Sequence, residues 1–444
     1  MKDSMTLFTD LGLAEPLLRA LKDEGYEKPT PIQARAIPSL LQNRDLLGIA
    51  QTGTGKTAAF ALPILNRMAL DKRRPNPKTV RALILAPTRE LATQIAASFR
   101  VYGRHVGVRV GVVIGGVSGV PQAKAMAGGL DVLVATPGRL LDHMSTGAVR
   151  LDETEILVLD EADHMLDLGF VEPIRKILAK IPKARQSLFF SATMPREIAG
   201  LAAEILRDPV EVKVAAVAAT ADRVAQEVYL VETGGKPSLL VEMLRRPGFS
   251  RSIVFTRTKR GADRVAKHLE AAGISAAAIH GNKSQNQRQR ALDDFKKGKT
   301  AALVATDIAA RGIDIDAVSH VVNFDLPEVP EAYVHRIGRT ARAGAEGIAI
   351  SLCAPDERDL LRQVEKLTRQ TLPVIDRRGE FARVAMPDPV VERPQRTTRE
   401  NQNKPYQPRP SHRGGPRPEA RPGERPNRAK QRRPFPGGQT ARGA

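Results

Sequence analysis

The sequence predicts an α/β protein with two lobes, each a parallel β-sheet flanked by helices, followed by a disordered basic tail. Across residues 8–373, short apolar runs alternate with stretches of helical periodicity, which is typical of parallel sheets. Nearly every apolar run ends in a polar cluster that contains Gly or Thr. Because open α/β sheets bind ligands beyond the carboxyl ends of their strands, two such lobes predict one cleft lined from both sides.

The predicted strands follow the apolar runs. In the first lobe they are residues 46–50, 82–86, 110–114, 132–135, 156–159 and 188–190. In the second lobe they are residues 252–255, 276–279, 301–305, 320–324 and 348–352. A weakly periodic segment without aromatic residues separates the two sets and predicts a linker. The domain boundaries that follow are residues 1–212 for the first lobe, 213–221 for the linker, 222–375 for the second lobe and 376–444 for the tail.

The charge of the chain is concentrated in its last residues. The net charge is +20, and residues 392–444 hold 14 basic and 4 acidic residues, a net +10, together with 10 of the 32 prolines. This segment holds almost no aliphatic residues, and it therefore cannot bury enough apolar surface to offset the entropy that the chain would lose on ordering. We expect a disordered Arg/Pro/Gly-rich tail. An excess of positive charge predicts a polyanionic partner, nucleic acid before membrane. A tail that serves only solubility is the alternative.

Composition also excludes some classes of protein. The sequence has no apolar run near the ~18–20 residues that a membrane span needs and no secretory signal, so we expect a cytoplasmic protein without membrane partners. The single cysteine, Cys353, cannot form an internal disulfide and suits a reducing compartment. It ends an apolar run and is interpreted as a buried core residue rather than a reactive thiol.

The sequence Ala50-Gln-Thr-Gly-Thr-Gly-Lys-Thr57 follows a predicted strand and precedes a predicted helix over residues 58–68. In this context it is a P-loop, in which glycines let backbone N–H groups surround phosphates at a helix N-terminus. Lys56 is placed to reach the β- and γ-phosphates, and the Thr57 hydroxyl to bind Mg²⁺. Ala50 departs from the general pattern, which has glycine there. A chance Gly-Lys-Thr turn is the alternative.

A second motif, Asp160-Glu-Ala-Asp163, follows the predicted strand over residues 156–159. Adjacent carboxylates at a strand end, across the sheet from a P-loop, form a Walker B arrangement. Asp160 would then hold Mg²⁺ through its water shell, and Glu161 would orient and deprotonate the attacking water. An acidic tetrad alone is more often a solvated helix cap, but the P-loop favours the catalytic interpretation.

The Asp-Glu-Ala-Asp motif resembles the signature of the DEAD-box RNA helicases, and the other family motifs occur in order within residues 8–373. The resemblance implies two tandem RecA-like domains. Gly25-Tyr-Glu-Lys-Pro-Thr-Pro-Ile-Gln33 resembles the family's Q motif, which implies that Gln33 pairs with the edge of adenine, Phe8 stacks on the ring and Lys28 lies at the nucleotide. An ordinary core aromatic is the alternative for Phe8.

The resemblance also implies a complete set of contacts. The nucleotide-binding residues are Phe8, Lys28, Gln33, Gln51, Thr52, Gly53, Thr54, Gly55, Lys56, Thr57 and Asp314, with Mg²⁺ at Thr57 and Asp160. The catalytic residues are Lys56, Asp160, Glu161 and two arginine fingers, Arg339 and Arg342. The RNA-binding residues are Arg89, Gly116, Thr136, Arg139, Gln285, Arg288, Thr306 and Arg311. Asp163, Ser191, Thr193 and His335 couple hydrolysis to RNA, with a contact expected between Asp163 and the Ser191-Ala-Thr193 motif.

These assignments predict an enzyme that hydrolyses ATP in response to RNA and locally unwinds short duplexes. Contacts to the RNA backbone cannot read bases, so we expect little sequence preference. The opening Phe8-Thr-Asp-Leu-Gly-Leu resembles the bacterial RhlE branch. Three alternatives are an ATP-gated RNA clamp or annealing chaperone with little unwinding, a DNA helicase on the same architecture, and a structural ribosome-associated protein. The last leaves the P-loop without a use.

Overall fold

The computed structural model describes residues 7–51, 53–214, 224–310, 318–341 and 347–381. Thr52, Arg311, Asp314 and Arg342 lie outside these residues, as do the linker beyond residue 214 and the tail beyond residue 381. The described part of the chain contains two seven-stranded sheets, in which every recorded strand pairing is parallel. The predicted fold class is therefore confirmed. Among its helices, none has both the length and the apolar character that a membrane span requires.

The first lobe is the described chain up to residue 214. It begins with a 3₁₀ helix over Phe8–Leu11. Its strands are β1 (Leu46–Ile49), β2 (Val80–Leu85), β3 (Val110–Val113), β4 (Leu130–Ala135), β5 (Ile156–Leu159), β6 (Gln186–Ser191) and β7 (Val210–Lys213). Its helices are α1 (Glu15–Asp23), α2 (Pro31–Leu41), α3 (Lys56–Leu70), α4 (Arg89–Tyr102), α5 (Gly119–Met126), α6 (Pro137–Ser145), α7 (Ala162–Asp167), α8 (Val171–Leu178) and α9 (Arg196–Ile205).

The second lobe is the described chain from residue 224. Its strands are β8 (Val224–Leu230), β9 (Ser252–Phe255), β10 (Ala276–Ile279), β11 (Ala302–Ala305), β12 (His320–Asn323), β13 (Gly347–Cys353) and β14 (Val374–Asp376). Its helices are α10 (Lys236–Leu244), α11 (Lys259–Ala271), α12 (Gln285–Lys296), α13 (Asp307–Ala310), α14 (Pro330–Ile337) and α15 (Arg358–Thr368). Short 3₁₀ helices cover Thr233–Gly235 and Pro355–Glu357.

Both sheets have the same internal strand order. The first is ordered β3-β4-β2-β5-β6-β1-β7, and the second β10-β11-β9-β12-β13-β8-β14. Numbering the second lobe's strands from one reproduces the order of the first, so β1 corresponds to β8 and β5 to β12. Because all strands of a lobe run in one direction, the loops that follow them gather along one edge of each sheet.

Helices cover both faces of each sheet, as strand β5 illustrates. Ile156 and Val158 belong to a hydrophobic cluster shared with α3 and α4. Leu157 and Leu159 point to the other face and belong to a cluster shared with α8 and α9. All four are at most 1% exposed. A strand buried on both faces reads as a continuous apolar run, which is why the sequence predicts it well.

All the predicted strands are present, with ends within two residues of those observed. Three further strands, β7, β8 and β14, were not predicted. Strand β7 lies beside β1 at one edge of the first sheet, and β8 and β14 follow β13 toward one edge of the second. Strands β7 and β8 mix buried positions with half-buried or exposed ones, and β14 is exposed throughout. Such strands lack the continuous apolar run that marks a central strand.

Ordered structure continues beyond the predicted start of the tail at residue 376. Arg377 donates two hydrogen bonds to the Glu242 carboxylate on α10, at 3.3 and 3.1 Å. Its guanidinium lies 5.0 Å from the centre of the Phe381 ring, and Phe381 packs against a hydrophobic cluster of the second lobe. Strand β14 with these two anchors forms a C-terminal strap, residues 374–381. The pairing of β14 with β8 and the ion pair between Arg377 and Glu242 help to hold the strap in place. Neither interaction can be predicted from amino-acid composition.

Corresponding strands of the two lobes lead to corresponding lysines. Lys56 begins α3 after β1, and Lys236 begins α10 after β8. Both side chains are buried, at 5% and 2% exposure. In the second lobe Lys236 Nζ donates to the Phe324 carbonyl at 2.7 Å and to Glu357 Oε2 at 2.5 Å.

Candidate functional site

The P-loop lies at the carboxyl end of β1, where glycines permit a sharp turn into α3. Gly53 and Gly55 have φ of +82° and +91°, a region that side chains with a Cβ rarely adopt. A Cβ on Gly55 would lie 2.5 Å from Gln33 Nε2, so the glycine also allows α2 to approach. Thr54 Oγ1 donates to the Gln51 carbonyl at 2.8 Å and tightens the turn.

Gln33 binds the P-loop directly. Its Nε2 donates to the Gly55 carbonyl at 3.0 Å, and its Oε1 accepts from Thr30 N at 2.9 Å. Thr30 Oγ1 donates in turn to the Thr54 carbonyl at 2.8 Å. Both ends of the amide thus contact protein, and the residue is only 6% exposed. Gln33 couples the Q motif to the loop, and its pairing with adenine stays a prediction.

Phe8 is buried in the first lobe, and its stacking on adenine stays a prediction. Only 4% of the residue is exposed, and its ring lies in the hydrophobic cluster of the first lobe with Leu11 and Leu13. In this state the ring offers almost no open face to a base, which fits the alternative of a core aromatic. Lys28, by contrast, is exposed in the chain that leads to α2.

Lys56, Asp160 and Glu161 meet at the carboxyl ends of β1 and β5. Lys56 Nζ donates to the Ala50 carbonyl at 2.9 Å and lies 3.9 Å from Asp160 Oδ1. Burial raises the pKa of Asp160 to about 6, against the opposing effect of the Lys56 charge. Thr57, the next residue of α3, is half-buried.

Glu161 has a left-handed backbone, with φ of +54°, and caps the N-terminus of α7. Burial would raise the pKa of its carboxyl group, but contact with His164 and the charge of Lys56 outweigh it and hold the pKa well below its usual range. The carboxylate is therefore ionised, which is the state that a proton acceptor requires. Non-glycine residues in this backbone region are uncommon and occur often at functional sites.

Asp163 joins α7 to the Ser191-Ala-Thr193 motif at the end of β6. Its Oδ2 accepts hydrogen bonds from Ala192 N, Thr193 N and Thr193 Oγ1, at 3.1, 3.0 and 3.1 Å. Ser191 Oγ accepts from Asp163 N at 3.3 Å. The contact expected from the sequence is thus present, and it fixes the acidic motif to a neighbouring strand.

A cavity of about 440 Å³ lies between these groups and the second lobe. Lys56, Glu161 and Asp163 line it from the first lobe, and His335 and Arg339 line it from the second. Arg339 contributes to lowering the pKa of Glu161, after the effects of burial, His164 and Lys56. The catalytic groups predicted on separate halves of the sequence therefore share one space.

The neighbouring Arg336 is structural. It is 1% exposed, and its guanidinium donates to both Asp307 carboxylate oxygens at 2.6 and 2.8 Å. It donates also to Asn323 Oδ1 at 3.1 Å and to the Asp325 carbonyl at 2.6 Å. These bonds fix α14 to the ends of β11 and β12. Arg336 thus holds α14 in place, while Arg339 of the same segment faces the cavity.

The predicted RNA-binding residues of the first lobe lie close together after β2, β3 and β4. The Arg89 guanidinium lies against Gly115 and Gly116, and a Cβ on Gly116, whose φ is +75°, would collide with it. Arg139 Nη1 donates to the Val117 carbonyl at 2.8 Å. Thr136 is buried at the N-terminus of α6. The glycines leave room for an arginine beside the backbone.

The predicted RNA-binding residues of the second lobe contact the first lobe. Gln285 Nε2 and Arg288 Nη2, both on α12, donate to the Glu90 carboxylate at 2.8 and 2.9 Å. Arg89 Nη1 donates to Gln285 Oε1 at 3.3 Å. Glu90 was not predicted as a site residue, although it follows Arg89 in the same motif. Thr306, at the end of β11, is 8% exposed and does not share these contacts in the described bonds.

Both lobes of the chain match known protein families. A family model described as DEAD/DEAH box helicase matches residues 30–201, and one described as Helicase conserved C-terminal domain matches residues 235–344. The chain is 45% identical over 362 residues to an ATP-dependent RNA helicase CshA of Limosilactobacillus reuteri. That alignment covers 82% of this chain and 72% of the relative.

Two solved structures have similar folds. One is S. cerevisiae Dbp5 bound to RNA and ADP BeF3, with a TM-score of 0.74 and 32% identity over 83% of this chain and 95% of that one. The other is Mss116p bound to ssRNA and AMP-PNP, with a TM-score of 0.76 and 26% identity over 86% of this chain and 81% of that one.

Proposed function

This chain belongs to the DEAD/DEAH box helicase family, and we propose that its lobes bind single-stranded RNA and locally unwind short RNA duplexes as ATP is hydrolysed between them. It is an ATP-dependent RNA helicase with tandem RecA-like lobes, since both halves match the family and its relatives carry that activity. The cavity shared by Lys56, Glu161 and Arg339 supports the hydrolytic part of the proposal most directly.

We propose the following roles for ATP hydrolysis. Lys56 binds the β- and γ-phosphates, Glu161 accepts a proton from the attacking water, and Arg339 stabilises charge on the γ-phosphoryl group. Neither lobe holds all three residues. Hydrolysis therefore requires the lobes to be together, and RNA contacts that span both lobes favour that state. The phosphate-binding loop also includes Gln51, Gly53 and Thr54. We propose that hydrolysis is coupled to RNA binding by Asp163, Ser191, Thr193 and His335.

We propose Mg²⁺ as the accompanying metal. Among the described residues no cluster of three metal-binding side chains exists, and Mg²⁺ is commonly held by one or two carboxylates together with waters and substrate phosphates. Asp160, whose buried carboxylate meets Lys56 only at 3.9 Å, and the Thr57 hydroxyl fit that role. The ion would neutralise charge that develops on the phosphates.

RNA recognition through the backbone is proposed for Arg89, Gly116, Thr136 and Arg139 in the first lobe. In the second lobe we propose Gln285, Arg288 and Thr306, which lie at the start of α12 and the end of β11. We propose that these groups contact phosphates and sugars rather than base edges, so the proposal includes little sequence preference. Arg311, Asp314 and Arg342, predicted for RNA, ribose and phosphoryl contact, lie outside the described residues and stay predictions.

Three finer assignments complete the proposal. The opening motif at Phe8 supports membership of the RhlE branch. The single cysteine, which suits a reducing compartment, supports a cytoplasmic location. The domain boundaries proposed are those predicted from the sequence at residues 212 and 221, with the end of the second lobe extended from residue 375 to residue 381 so that it includes the strap.

Steady-state ATP hydrolysis, measured with and without single-stranded RNA and with DNA of the same sequence as control, tests the function. We expect RNA to raise kcat and DNA to do so weakly. Lys56→Ala should abolish turnover by weakening nucleotide binding, and Glu161→Gln should bind ATP and RNA without turnover. Wild-type kcat in Glu161→Gln would exclude the proposed base.

Unwinding is tested separately from hydrolysis. Release of a fluorescent strand from a short RNA duplex should require ATP. A clamp or annealing chaperone would instead hydrolyse ATP and hold single strands without separating the duplex. Equal strand release with ATP and with a non-hydrolysable analogue at limiting enzyme would contradict coupling to turnover.

A further inference from the structure

We propose that His164 is a positioning residue for Glu161: its Nδ1–H holds the Glu161 carboxylate in the orientation needed to accept a proton from the attacking water. This inference rests on the proposed role of Glu161. His164 lies one residue after the acidic motif, in the first turn of α7, and lines the 440 Å³ cavity with Lys56 and Arg339.

The imidazole of His164 is buried without a satisfying partner. The residue is 3% exposed, and neither ring nitrogen makes a hydrogen bond within the part of the chain that the structure describes. Buried polar atoms are nearly always paired in native proteins, so an orphaned pair at a cavity wall calls for a functional explanation. A histidine kept only for packing would be replaceable by an apolar side chain at no cost.

Glu161 is the group within reach of that ring. Its Oε2 lies 3.5 Å from His164 Nδ1, which is roughly 0.6 Å longer than a good hydrogen bond. Catalytic hydrogen bonds are often long in unliganded sites and shorten when substrate closes the site. With its proton on Nδ1, the ring donates to Oε2, and the other oxygen of Glu161 stays available to water.

The backbone around the pair is fixed at both ends. Glu161 has the left-handed φ of +54° that begins α7. His164 N donates to Asp163 Oδ1 at 3.0 Å, and Asp163 Oδ2 holds Ala192 and Thr193. The position of the imidazole therefore follows the Ser191-Ala-Thr193 motif. A shift of the Ser191-Ala-Thr193 motif would therefore alter the position of the Glu161 carboxylate by way of Asp163 and His164.

The test compares side chains that differ in where they carry a donor. His164→Asn places an amide nitrogen near the Nδ1 position, His164→Gln places one near the Nε2 position, and His164→Leu has none. We expect His164→Leu and His164→Gln to lower RNA-stimulated kcat about tenfold, the loss of one charged hydrogen bond. His164→Asn should stay within about threefold of wild type. The KM for ATP, and RNA affinity with a non-hydrolysable ATP analogue, should change less than twofold.

Controls separate positioning from folding. His320→Leu removes another buried imidazole, 6% exposed on β12, and should leave kcat unchanged in protein that is folded at the assay temperature. If His164→Leu does not fold, the comparison of His164→Asn with His164→Gln decides. Wild-type kcat in His164→Gln, or equal loss in the Asn and Gln variants, would overturn the proposal.

A second comparison separates this inference from the proposed function. In a Glu161→Gln background, which lacks steady-state turnover, His164→Gln should lower the trace hydrolysis seen in single-turnover assays no further, because the two residues act as one unit. A further tenfold loss there would show that His164 acts by another route. Full activity of Glu161→Gln alone would instead remove the base assignment itself.

Discussion

Glu90 of the first lobe accepts a hydrogen bond at 2.9 Å from Arg288 of the second lobe. The two side chains are 2% and 11% exposed, and Gln285 donates to the other oxygen of Glu90 at 2.8 Å. Removing one member of a buried ion pair leaves the other charge unpaired, which costs more than the loss of the bond. The pair therefore stabilises a state in which the lobes are in contact.

We expect Glu90→Ala and Arg288→Ala each to weaken RNA binding in the presence of a non-hydrolysable ATP analogue by about tenfold, corresponding to ~1.4 kcal/mol. The KM for ATP hydrolysed without RNA should change little. The double variant should lose much less than the sum, with a coupling free energy of ~1–3 kcal/mol. RNA affinities of the four proteins, measured by fluorescence anisotropy, give that coupling. Additive losses would show that Arg288 contacts RNA independently of Glu90.

Gln33→Ala should raise the KM for ATP and reduce the preference for ATP over GTP. The amide now joins Thr30 to Gly55, so part of the rise in KM is expected to come from a loosened P-loop. Thr30→Val, which removes the hydroxyl bonded to the Thr54 carbonyl, is the matched control. It should raise the KM for both nucleotides without changing their ratio. If Gln33→Ala also keeps the ratio, the base is selected elsewhere.

Arg339→Ala and Arg336→Ala should fail in different ways. Arg339 faces the cavity, so its loss should lower kcat by ~10²–10³ while nucleotide affinity and melting temperature stay close to wild type. Arg336 makes four hydrogen bonds in the core of the second lobe, so its loss should cost ~3 kcal/mol or more of stability. Calorimetric melting together with kcat separates them. An unchanged melting temperature in Arg336→Ala would remove its structural role.

The tail should bind RNA phosphates without sequence preference. Truncation after Met386 removes residues 392–444 with their net charge of +10 but keeps the strap of residues 374–381, so RNA-stimulated kcat and melting temperature should hold. RNA affinity at about 50 mM salt should fall ~10-fold, and its dependence on salt should become shallower because fewer counterions are released. Identical affinities and slopes at two salt concentrations would mean that the tail serves only solubility.

Truncation after Pro373 is the companion experiment. It removes β14 together with Arg377 and Phe381, so Glu242 loses its two bonds from Arg377. We expect this shorter chain to melt several degrees lower, which the Met386 truncation should not do. Equal melting temperatures would show that the strap contributes nothing to the second lobe.

The central parts of the fold and site could be predicted because they leave local patterns. Strand β5 is an unbroken apolar run ending at Asp160, and glycines with the lysine mark the loop before α3. Glu90 and Arg336 could not be assigned in this way. Each acts through partners distant in sequence, and an acidic or basic residue on a helix looks like a solvated one until its neighbours are known. Phe8 was predicted at the nucleotide, and the sequence could not show that its ring also packs in the core of the first lobe.

The shared strand order and the paired lysines have a bearing on ancestry. Lys56 and Lys236 begin corresponding helices, and Lys236 lies 3.8 Å from Asp325 after β12 as Lys56 lies 3.9 Å from Asp160 after β5. Two copies of one ancestral nucleotide-binding unit would leave this correspondence. In the second copy the lysine's counter-charge is the chain's own Glu357. The buried lysine of the second lobe thus has its counter-charge within the protein itself, without a bound phosphate.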